Sequence, residues 1–302
     1  MTPTAARPPR LAELVASLSV ATDLGLGLPE DHVMRQTMIA RRLGAAAGFT
    51  PEQHATAFYV SLLAWVGCIS DSHELSRSFG DDLRVRRESY HVDKAGAQMM
   101  RFLLAQAMTG RTTAQGIAMV GRVLAGGFSD AVDSFVTHCQ TTGDIADRLA
   151  LPPGVRQCLT QVFERWDGHG SPGQLSGAEI DPVVRVVQIA DDAEVLYRTA
   201  GVTAALDMLA SRSGTEFDPD LVDLTAAQAD SIFGNLEYCD AWDAVIATDP
   251  GAGPPMSGRE LDAALVVFAD YADLKSPYFL GHSRARGDTG SRCGDTYRAA
   301  AR

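Results

Sequence analysis

Apolar residues recur along most of this chain at the three- and four-residue spacing that one face of an α-helix requires. In residues 10–22, Leu11, Leu14, Val15 and Leu18 fall on a single helical face. The regular alternation of helices with strands that a doubly wound sheet needs is absent. The sequence therefore predicts an all-α fold. The other predicted helices cover residues 30–44, 50–68, 130–149, 153–166, 180–212 and 259–273.

The third helical segment is predicted to form the centre of the fold. Thr50, Pro51 and Glu52 have the residue types of an N-cap and the first two helical positions, and the residues after them are apolar on nearly every side. Its most apolar run, residues 58–69, is too short to cross a bilayer, and the chain shows no convincing signal peptide. The one strand-like stretch is the β-branched run at 183–187, inside an otherwise helical pattern.

Charge and cysteine content exclude several classes of function. The formal net charge is −12, which opposes tight binding to nucleic acid and docking on anionic lipid. The five cysteines are scattered without a CxxC pair, so neither a disulfide framework nor a zinc ribbon is expected. We therefore expect a cytoplasmic protein that contacts no membrane and binds no nucleic acid directly.

A small set of polar residues in apolar surroundings carries the candidate chemistry. Asp191 and Asp192 follow an apolar stretch, where a carboxylate needs a cation or hydrogen-bond donors. His32 and His138 lie on helical segments that can turn them inward, and buried histidines beside a carboxylate are typical metal ligands. The glycine-rich residues 168–173 formally match a dinucleotide fingerprint, but a helix precedes them and a proline interrupts them. We expect a tight loop there instead of a nucleotide site.

The same loop resembles the ERWDGxGYP segment of the HD-GYP branch of the HD-domain metal-dependent phosphohydrolases. Two further segments are similar to that family, one starting at Gly177 and reading GAEIDPVVRVVQIADDAEVL, the other starting at Gly214 and reading GTEFDPDLV. His32 stands where the family opens with HxxR, and His138 where it has a mid-domain histidine. The loop residues that match are Glu164, Arg165, Trp166, Asp167, Gly168, Gly170 and Pro172, with Ser171 in the tyrosine position.

The positions that hold metal in the resembling family are mostly substituted in this chain. The resemblance places the family's His-Asp dyad at Ala64 and Trp65, and a pair of histidines at Val162 and Phe163. Catalysis of this class needs bound metal to polarise a phosphoryl oxygen and to activate water. The resemblance therefore implies a site that has lost most of its ligands.

Three residues, His32, His138 and Asp191, remain at positions that ligate metal in the family. The resemblance implies that His32 and Asp191 would share one metal, so we expect either no cofactor or a weakly bound iron, manganese or zinc ion. We also expect these three side chains to converge on one pocket walled by Trp65 and Phe163, with a histidine hydrogen-bonded to Asp191. A cluster that could supply other ligands from a different direction consists of Asp71, His73 and Glu74.

The resemblance also implies a domain division. Residues 1–245 are expected to form an HD-domain-like helical bundle, an HD-GYP-like domain with an inserted helical subregion at about 76–130. A Gly/Pro linker at 246–258 follows. Residues 259–284 are similar to the start of a second HD-GYP-like repeat, which is truncated here. Residues 285–302 contain no Leu, Ile, Val, Met or Phe, so a disordered tail is expected.

These observations leave three functional hypotheses. The first is a degenerate HD-GYP-like domain that acts as a regulatory or interaction module in cyclic-dinucleotide signalling, with a cyclic dinucleotide, a protein or a second copy of itself as partner. The second is a weak metal-dependent phosphohydrolase that resembles cyclic di-GMP phosphodiesterases. The third is the sensory part of a longer transcription regulator.

Overall fold

A computed structural model describes residues 7–251 and 255–287, and within these ranges the protein is all-α. The only β-type pairing there is an isolated bridge between Ser213 and Phe217. Single 3-10 turns lie at Val66–Asp71, Gly177–Glu179 and Pro277–Phe279. The helices are α1 (Leu11–Leu26), α2 (His32–Ala46), α3 (Pro51–Leu63), α4 (Ser72–Phe79), α5 (Asp82–Ser89), α6 (Gly96–Met108), α7 (Thr113–Arg148), α8 (Pro153–Leu159), α9 (Pro182–Arg212), α10 (Pro219–Ala227), α11 (Ala229–Phe233), α12 (Ala241–Ile246) and α13 (Gly258–Asp273).

Local sequence explains where the two central helices begin. At the start of α3, the Thr50 hydroxyl accepts a hydrogen bond from the Gln53 amide, and the Gln53 side chain accepts one from the Thr50 amide. This reciprocal capping box satisfies two amides that the first turn leaves unpaired. At the start of α9, the Asp181 carboxylate accepts a hydrogen bond from the Val183 amide, and Pro182 occupies the first helical position. The strand-like valine run is therefore helical.

Two predicted helices are shorter in the structure, and the first is α3, predicted over 50–68, which ends at Leu63 before a 3-10 turn. The pattern predicted a helix over 153–166, but α8 ends at Leu159. The residues after it are held in a turn by side chains of other segments: Gln188 donates hydrogen bonds to the carbonyls of Val162 and Glu164. Because those carbonyls are bonded from outside, the chain can leave the helical path without burying unpaired backbone groups.

The core lies around α2, which packs against α3 and α9. Ile39, Leu62, Leu63 and Ile189 are fully buried at these contacts. The prediction of a buried α3 is confirmed, because its C-terminal half is shielded by both neighbours. No helix in the described part of the chain is long and apolar enough to cross a membrane.

The inserted subregion is helical, as predicted, and continues directly into the domain. It comprises α4, α5, α6 and the first half of α7, and α7 passes the expected end of the insertion at residue 130 without a break. Near the C-terminus, residues 282–287 are helical, and the remainder of the expected disordered tail lies outside the described residues.

Candidate functional site

His32 is fully buried between two carboxylates of α9. Its Nε2 atom lies 3.0 Å from Asp191 Oδ1, and its Nδ1 atom lies 2.6 Å from Glu194 Oε2. Asp191 and Glu194 are three residues apart on α9, so both reach the same side of that helix. His32 opens α2, where the chain enters the core. The expected hydrogen bond between a histidine and Asp191 is therefore present.

This arrangement favours an imidazolium at neutral pH. Burial opposes the positive charge, but the hydrogen bonds to Asp191 and Glu194 more than offset it and raise the pKa of His32 to about 10. Burial also opposes the charge of Glu194, yet the bond from His32 holds the pKa of that carboxyl below its ordinary value. A protonated imidazole has no free lone pair. His32 must therefore lose a proton before it can ligate a metal.

Two arginines neutralise the outer side of Glu194. Arg35, one turn after His32, lies 3.0 Å from Glu194 Oε1 through its Nε atom. Arg198, one turn along α9, donates from Nε to the same oxygen at 2.9 Å and also pairs with Asp31. Glu194 is thus a completely buried carboxylate whose charge is balanced by residues of the chain.

A second buried carboxylate, Asp192, is also balanced by resident cations. Lys94 donates from Nζ to Asp192 Oδ1 at 2.7 Å, and Arg212 lies 3.6 Å from Oδ2. Arg212 donates as well to Glu216, at 3.2 Å. Burial and the charge of Asp192 raise the pKa of Glu216 to about 7. Asp192 and Glu216 therefore compete for the Arg212 guanidinium in a buried, poorly hydrated environment.

Residues 90–95 of the insertion lie directly over this site, and we refer to them as the strap. The Tyr90 hydroxyl donates to Asp191 at 3.3 Å, and Lys94 reaches Asp192. The strap is held in return by Arg212, which donates to the Tyr90 carbonyl at 2.8 Å, and by Arg165, which donates to Asp93 at 2.9 Å. Tyr90 is buried, and the Lys94 side chain is 31% exposed. The strap therefore covers both aspartates.

His138 has partners other than those found for His32. Its Nε2 atom lies 2.7 Å from the carbonyl oxygen of Ala64, and its ring packs edge-on against Phe163 at 4.7 Å between centroids. Trp65 also packs against both rings, and its Nε1 donates to Gln36 at 3.3 Å. The predicted aromatic wall of Trp65 and Phe163 is present, and both rings pack against His138.

The positions that the resemblance assigned to lost ligands are occupied by well-packed apolar groups. Ala64 is completely buried, Trp65 is 8% exposed and Val162 is 3% exposed, while Phe163 packs against the core. The nearby backbone is also closely packed, because a Cβ atom added to Gly67 would lie 2.5 Å from the carbonyl oxygen of His138. His138 is therefore surrounded by closely packed apolar side chains and backbone.

The loop that carried the family resemblance has its polar groups turned into the protein. Glu164 is buried and accepts hydrogen bonds from the amides of Gly173 and Gln174. Arg165 bonds to Asp167 within the loop and to Asp93 of the strap. The loop amides of Trp166 and Asp167 donate to carbonyls of the GTEFDP segment, which lies opposite the loop. The loop thus joins the strap to the end of α9.

Gly170 is the point of closest approach in this loop. An added Cβ atom would lie 2.5 Å from the backbone of each of three residues, Phe163, Glu164 and Arg165. A glycine is therefore required by sterics alone. Gly168, at the loop entry, has φ of 76°, a conformation that also favours glycine.

The residues present do not fit the metal centre that the family resemblance implies. Within the side chains that the structure describes, no group of three or more His, Cys, Asp or Glu is arranged to hold a metal ion. The remaining carboxylates already face Lys94, Arg212, Arg35 and Arg198. Of the alternative ligand cluster, the side chains of residues 71 and 74 lie outside the described set.

Sequence reasoning missed five residues that complete the site. Glu194 follows Asp191 by three positions, a helical spacing that signals a shared face once α9 is recognised as helical. Arg212 precedes the GTEFDP segment and Glu216 lies within it; the segment was identified but given no role. Tyr90 and Lys94 lie in the charged insertion, which has no counterpart in the family resemblance and therefore carried no signal.

Comparisons with known proteins agree with this fold. The family model of the HD domain matches residues 129–221, a span that includes His138, the loop at 164–173 and Asp191. The chain is 26% identical over 277 residues to a 3'3'-cGAMP-specific phosphodiesterase of Vibrio cholerae, covering 90% of this chain and 60% of that protein.

A crystal structure of a cyclic GMP-AMP specific phosphodiesterase of Vibrio cholerae has the same fold, with a TM-score of 0.69 at 24% identity. The match covers 91% of this chain and 62% of that one, so this chain spans about three fifths of the length of the proteins it resembles. The HD-domain match over residues 129–221, the related sequence and the shared all-α architecture make this chain similar to the HD-domain phosphohydrolases.

Proposed function

We propose that this chain is a non-hydrolysing member of its family, an HD-GYP-like domain that serves as a regulatory or interaction module in a cyclic-dinucleotide system. The observation that carries the proposal is the charge balance at Asp191, Asp192 and Glu194. Each of these carboxylates has a cation or an imidazolium of the same chain within ion-pair distance. A divalent metal would have to displace those partners.

The apolar packing at Ala64 and Trp65 supports the same proposal. A water bound to metal becomes a nucleophile because the ion lowers its pKa towards about 7. That chemistry needs an open, polar coordination position, whereas Ala64 is completely buried and Trp65 closes on His138. In this protein the ligand positions contribute packing energy to the core instead.

The class of partner follows from the relatives. The related Vibrio cholerae protein is named for action on 3'3'-cGAMP, and we propose a cyclic dinucleotide as the ligand of this chain. A protein partner and a homodimer belong to the same proposal, as does a cytoplasmic location. Residues 1–245 would then be the functional domain, and residues 259–284 the start of a second HD-GYP-like repeat.

Metal analysis and turnover test the proposal together. Protein purified without chelator is analysed for iron, manganese and zinc, then incubated with 3'3'-cGAMP and with cyclic di-GMP in the presence of added Mn²⁺ or Fe²⁺. We expect less than one metal ion per chain and no hydrolysis above the protein-free blank. Binding of the two cyclic dinucleotides is measured separately by calorimetry. Two or more tightly held ions per chain, with chelator-sensitive turnover, would overturn it.

A metal-dependent phosphohydrolase is the second candidate function, and one observation favours it. His32 offers Nε2 towards Asp191 while its other nitrogen bonds to Glu194, and a carboxylate behind a histidine is the usual support for a metal ligand. If this reading is correct, Asp191→Asn abolishes Mn²⁺-dependent turnover, whereas Asp207→Asn, an exposed change on the same helix, leaves it intact.

A further inference from the structure

Two adjoining cavities open beside the C-terminal half of α2, and none of their lining residues belongs to the site described above. The larger has a volume of about 160 Å³ and the smaller about 40 Å³. They share three lining residues, Thr37, Arg41 and Thr248. The larger is completed by Met38, Arg42, Ala244 and Val245, and the smaller by His54, Ala57, Phe58 and Pro250.

The lining is cationic in a protein of formal charge −12. Arg41, Arg42 and His54 all border the cavities, and no aspartate or glutamate does. The neighbouring carboxylate of Asp249 is engaged elsewhere, since it pairs with Arg10 at 3.3 Å. Arg41 thus borders both cavities, Arg42 the larger and His54 the smaller, and neither lining includes an acidic side chain.

The basic groups repel one another. Burial first, and then the charge of Arg41, lowers the pKa of His54 below its ordinary value. Burial and Arg41 act in the same direction on Arg42. Arg41 itself makes no hydrogen bond or ion pair with any residue that the structure describes. An anion placed between these groups would relieve this repulsion.

The donors available to such an anion can be identified. Thr37 and Thr248 already donate their hydroxyl protons to the carbonyls of Val33 and Val245. Arg42 is fixed in position by hydrogen bonds from Nη1 to the carbonyls of two residues in the α11 region, at 2.8 Å each. The guanidinium groups of Arg41 and Arg42 and the imidazole of His54 remain as donors.

We propose that these cavities form a binding site for a phosphate group, either inorganic phosphate or the terminal group of a phosphomonoester. Arginine forks match the geometry of phosphate oxygens, and charge-assisted hydrogen bonds to them are among the strongest in proteins. Pockets for drug-sized ligands measure about 300–1,000 Å³. The volume here admits a single phosphoryl group and excludes a whole cyclic dinucleotide.

Phosphate titration of the 302-residue chain tests this site. Binding of sodium phosphate is followed by calorimetry and by the NMR signals of the His54 ring, assigned with His54→Gln, against sodium chloride at equal ionic strength. We expect saturable binding of phosphate alone, weakened at least fivefold by Arg41→Ala and by His54→Gln. Arg101→Ala removes an exposed arginine on α6 and should change affinity less than twofold.

An AMP titration distinguishes the two sources of the phosphate group. AMP that binds within fivefold of inorganic phosphate indicates a phosphomonoester site, whereas AMP that fails to compete indicates a site for the free ion. Arg41 is exposed, so its removal is not expected to impair folding, and circular dichroism of each variant verifies this. Phosphate that binds no better than chloride, or equally well to the Arg41→Ala protein, overturns the proposal.

Discussion

At the scale of single residues, the site is governed by how buried charges find partners. A buried ion pair contributes little net stability, but removing one partner leaves the other charge without compensation. His32, Asp192 and Glu194 are all within this regime, since each is buried and each is paired inside the chain. Substitutions that remove one partner should therefore cost more than their contact area suggests.

Lys94→Met tests the cation that the strap contributes. The buried Asp192 carboxylate would lose its 2.7 Å partner, while Arg212 stays 3.6 Å away. Because Lys94 keeps 31% exposure, we discount the effect for solvent screening and expect a loss of about 1–2 kcal/mol in the free energy of unfolding. Urea denaturation measures it.

A matched control for this substitution exists in the chain. Lys275 is the only other lysine in the sequence, and it is exposed. We expect Lys275→Met to change stability by less than about 0.5 kcal/mol. Equal effects of the two substitutions would contradict the role assigned to Lys94. In a background with Asp192→Asn, Lys94→Met should lose most of its effect.

Glu216→Gln should alter the pH dependence of stability. The pKa of Glu216 rises from 4.5 to about 7 on folding, because of burial and then Asp192. Between these values the folded state holds more protons than the unfolded state, so the contribution of Glu216 to stability falls as pH rises. Glutamine does not titrate, so the variant should gain up to about 3 kcal/mol relative to wild type between pH 4.5 and 7.

The measurement is a series of urea titrations from pH 4.5 to pH 8, comparing both proteins at each value. Asp207→Asn, an exposed substitution on α9, provides the baseline for removing a carboxylate. A difference between wild type and Glu216→Gln that is constant with pH, or that moves in the opposite direction, would show that Glu216 is not protonated in this range.

At the scale of elements, the loop at 164–173 has contacts that account for its residue pattern. Its side chains bond inward, to the loop itself and to the strap, and its backbone amides donate to the GTEFDP segment that follows α9. The loop therefore has a structural role that is independent of metal chemistry. The loop keeps the strap positioned against the segment that follows α9, whether or not a metal is bound.

Gly170→Ala should disturb this element. The new Cβ atom would lie 2.5 Å from the backbone of residues that cannot move as a flexible side chain can. Overpacking of this kind typically costs about 1–3 kcal/mol, and we expect a lower urea midpoint together with weaker protection of the loop amides in hydrogen exchange. Gly258→Ala is the control, since nothing lies within 4 Å of its added Cβ; it should be neutral or slightly stabilising. A similar midpoint for both variants would contradict the steric argument.

At the scale of the whole molecule, α13 packs on the domain before it. Tyr271 is buried and its hydroxyl lies 2.9 Å from the Thr22 hydroxyl of α1. Asp270 pairs with Arg148 at the end of α7, and the Met256 amide donates to the carbonyl of Pro9. This C-terminal segment is thus anchored to α1, to the end of α7 and to the residues just before α1.

A double-mutant cycle between Tyr271→Phe and Thr22→Val measures this anchoring. Each change removes one hydroxyl of a buried hydrogen bond, so we expect each to lower the free energy of unfolding by about 0.5–1.5 kcal/mol. The double variant should lose less than the sum of the two single losses, by a similar amount. Tyr278→Phe removes an 89% exposed hydroxyl and should be silent. Coupling near zero would show that α13 is not docked on α1 in solution.

The sequence by itself determined the helical class, because periodicity, caps and proline positions are local properties that act before any tertiary contact. It located α3 through Thr50 and Pro51, and the loop at 164–173 through its residue pattern. It also indicated that His32 and Asp191 belong together. These features are encoded either within a few residues or by the family resemblance.

The tertiary structure decided which charges meet. Lys94 and Asp192 are 98 residues apart, and no local pattern relates them, since their contact depends on how the strap folds over α9. It also gave His138 a partner that no local pattern indicates, since its Nε2 atom lies 2.7 Å from the carbonyl oxygen of Ala64. A buried polar group takes the nearest partner that geometry allows, and that geometry is set by packing across the whole core.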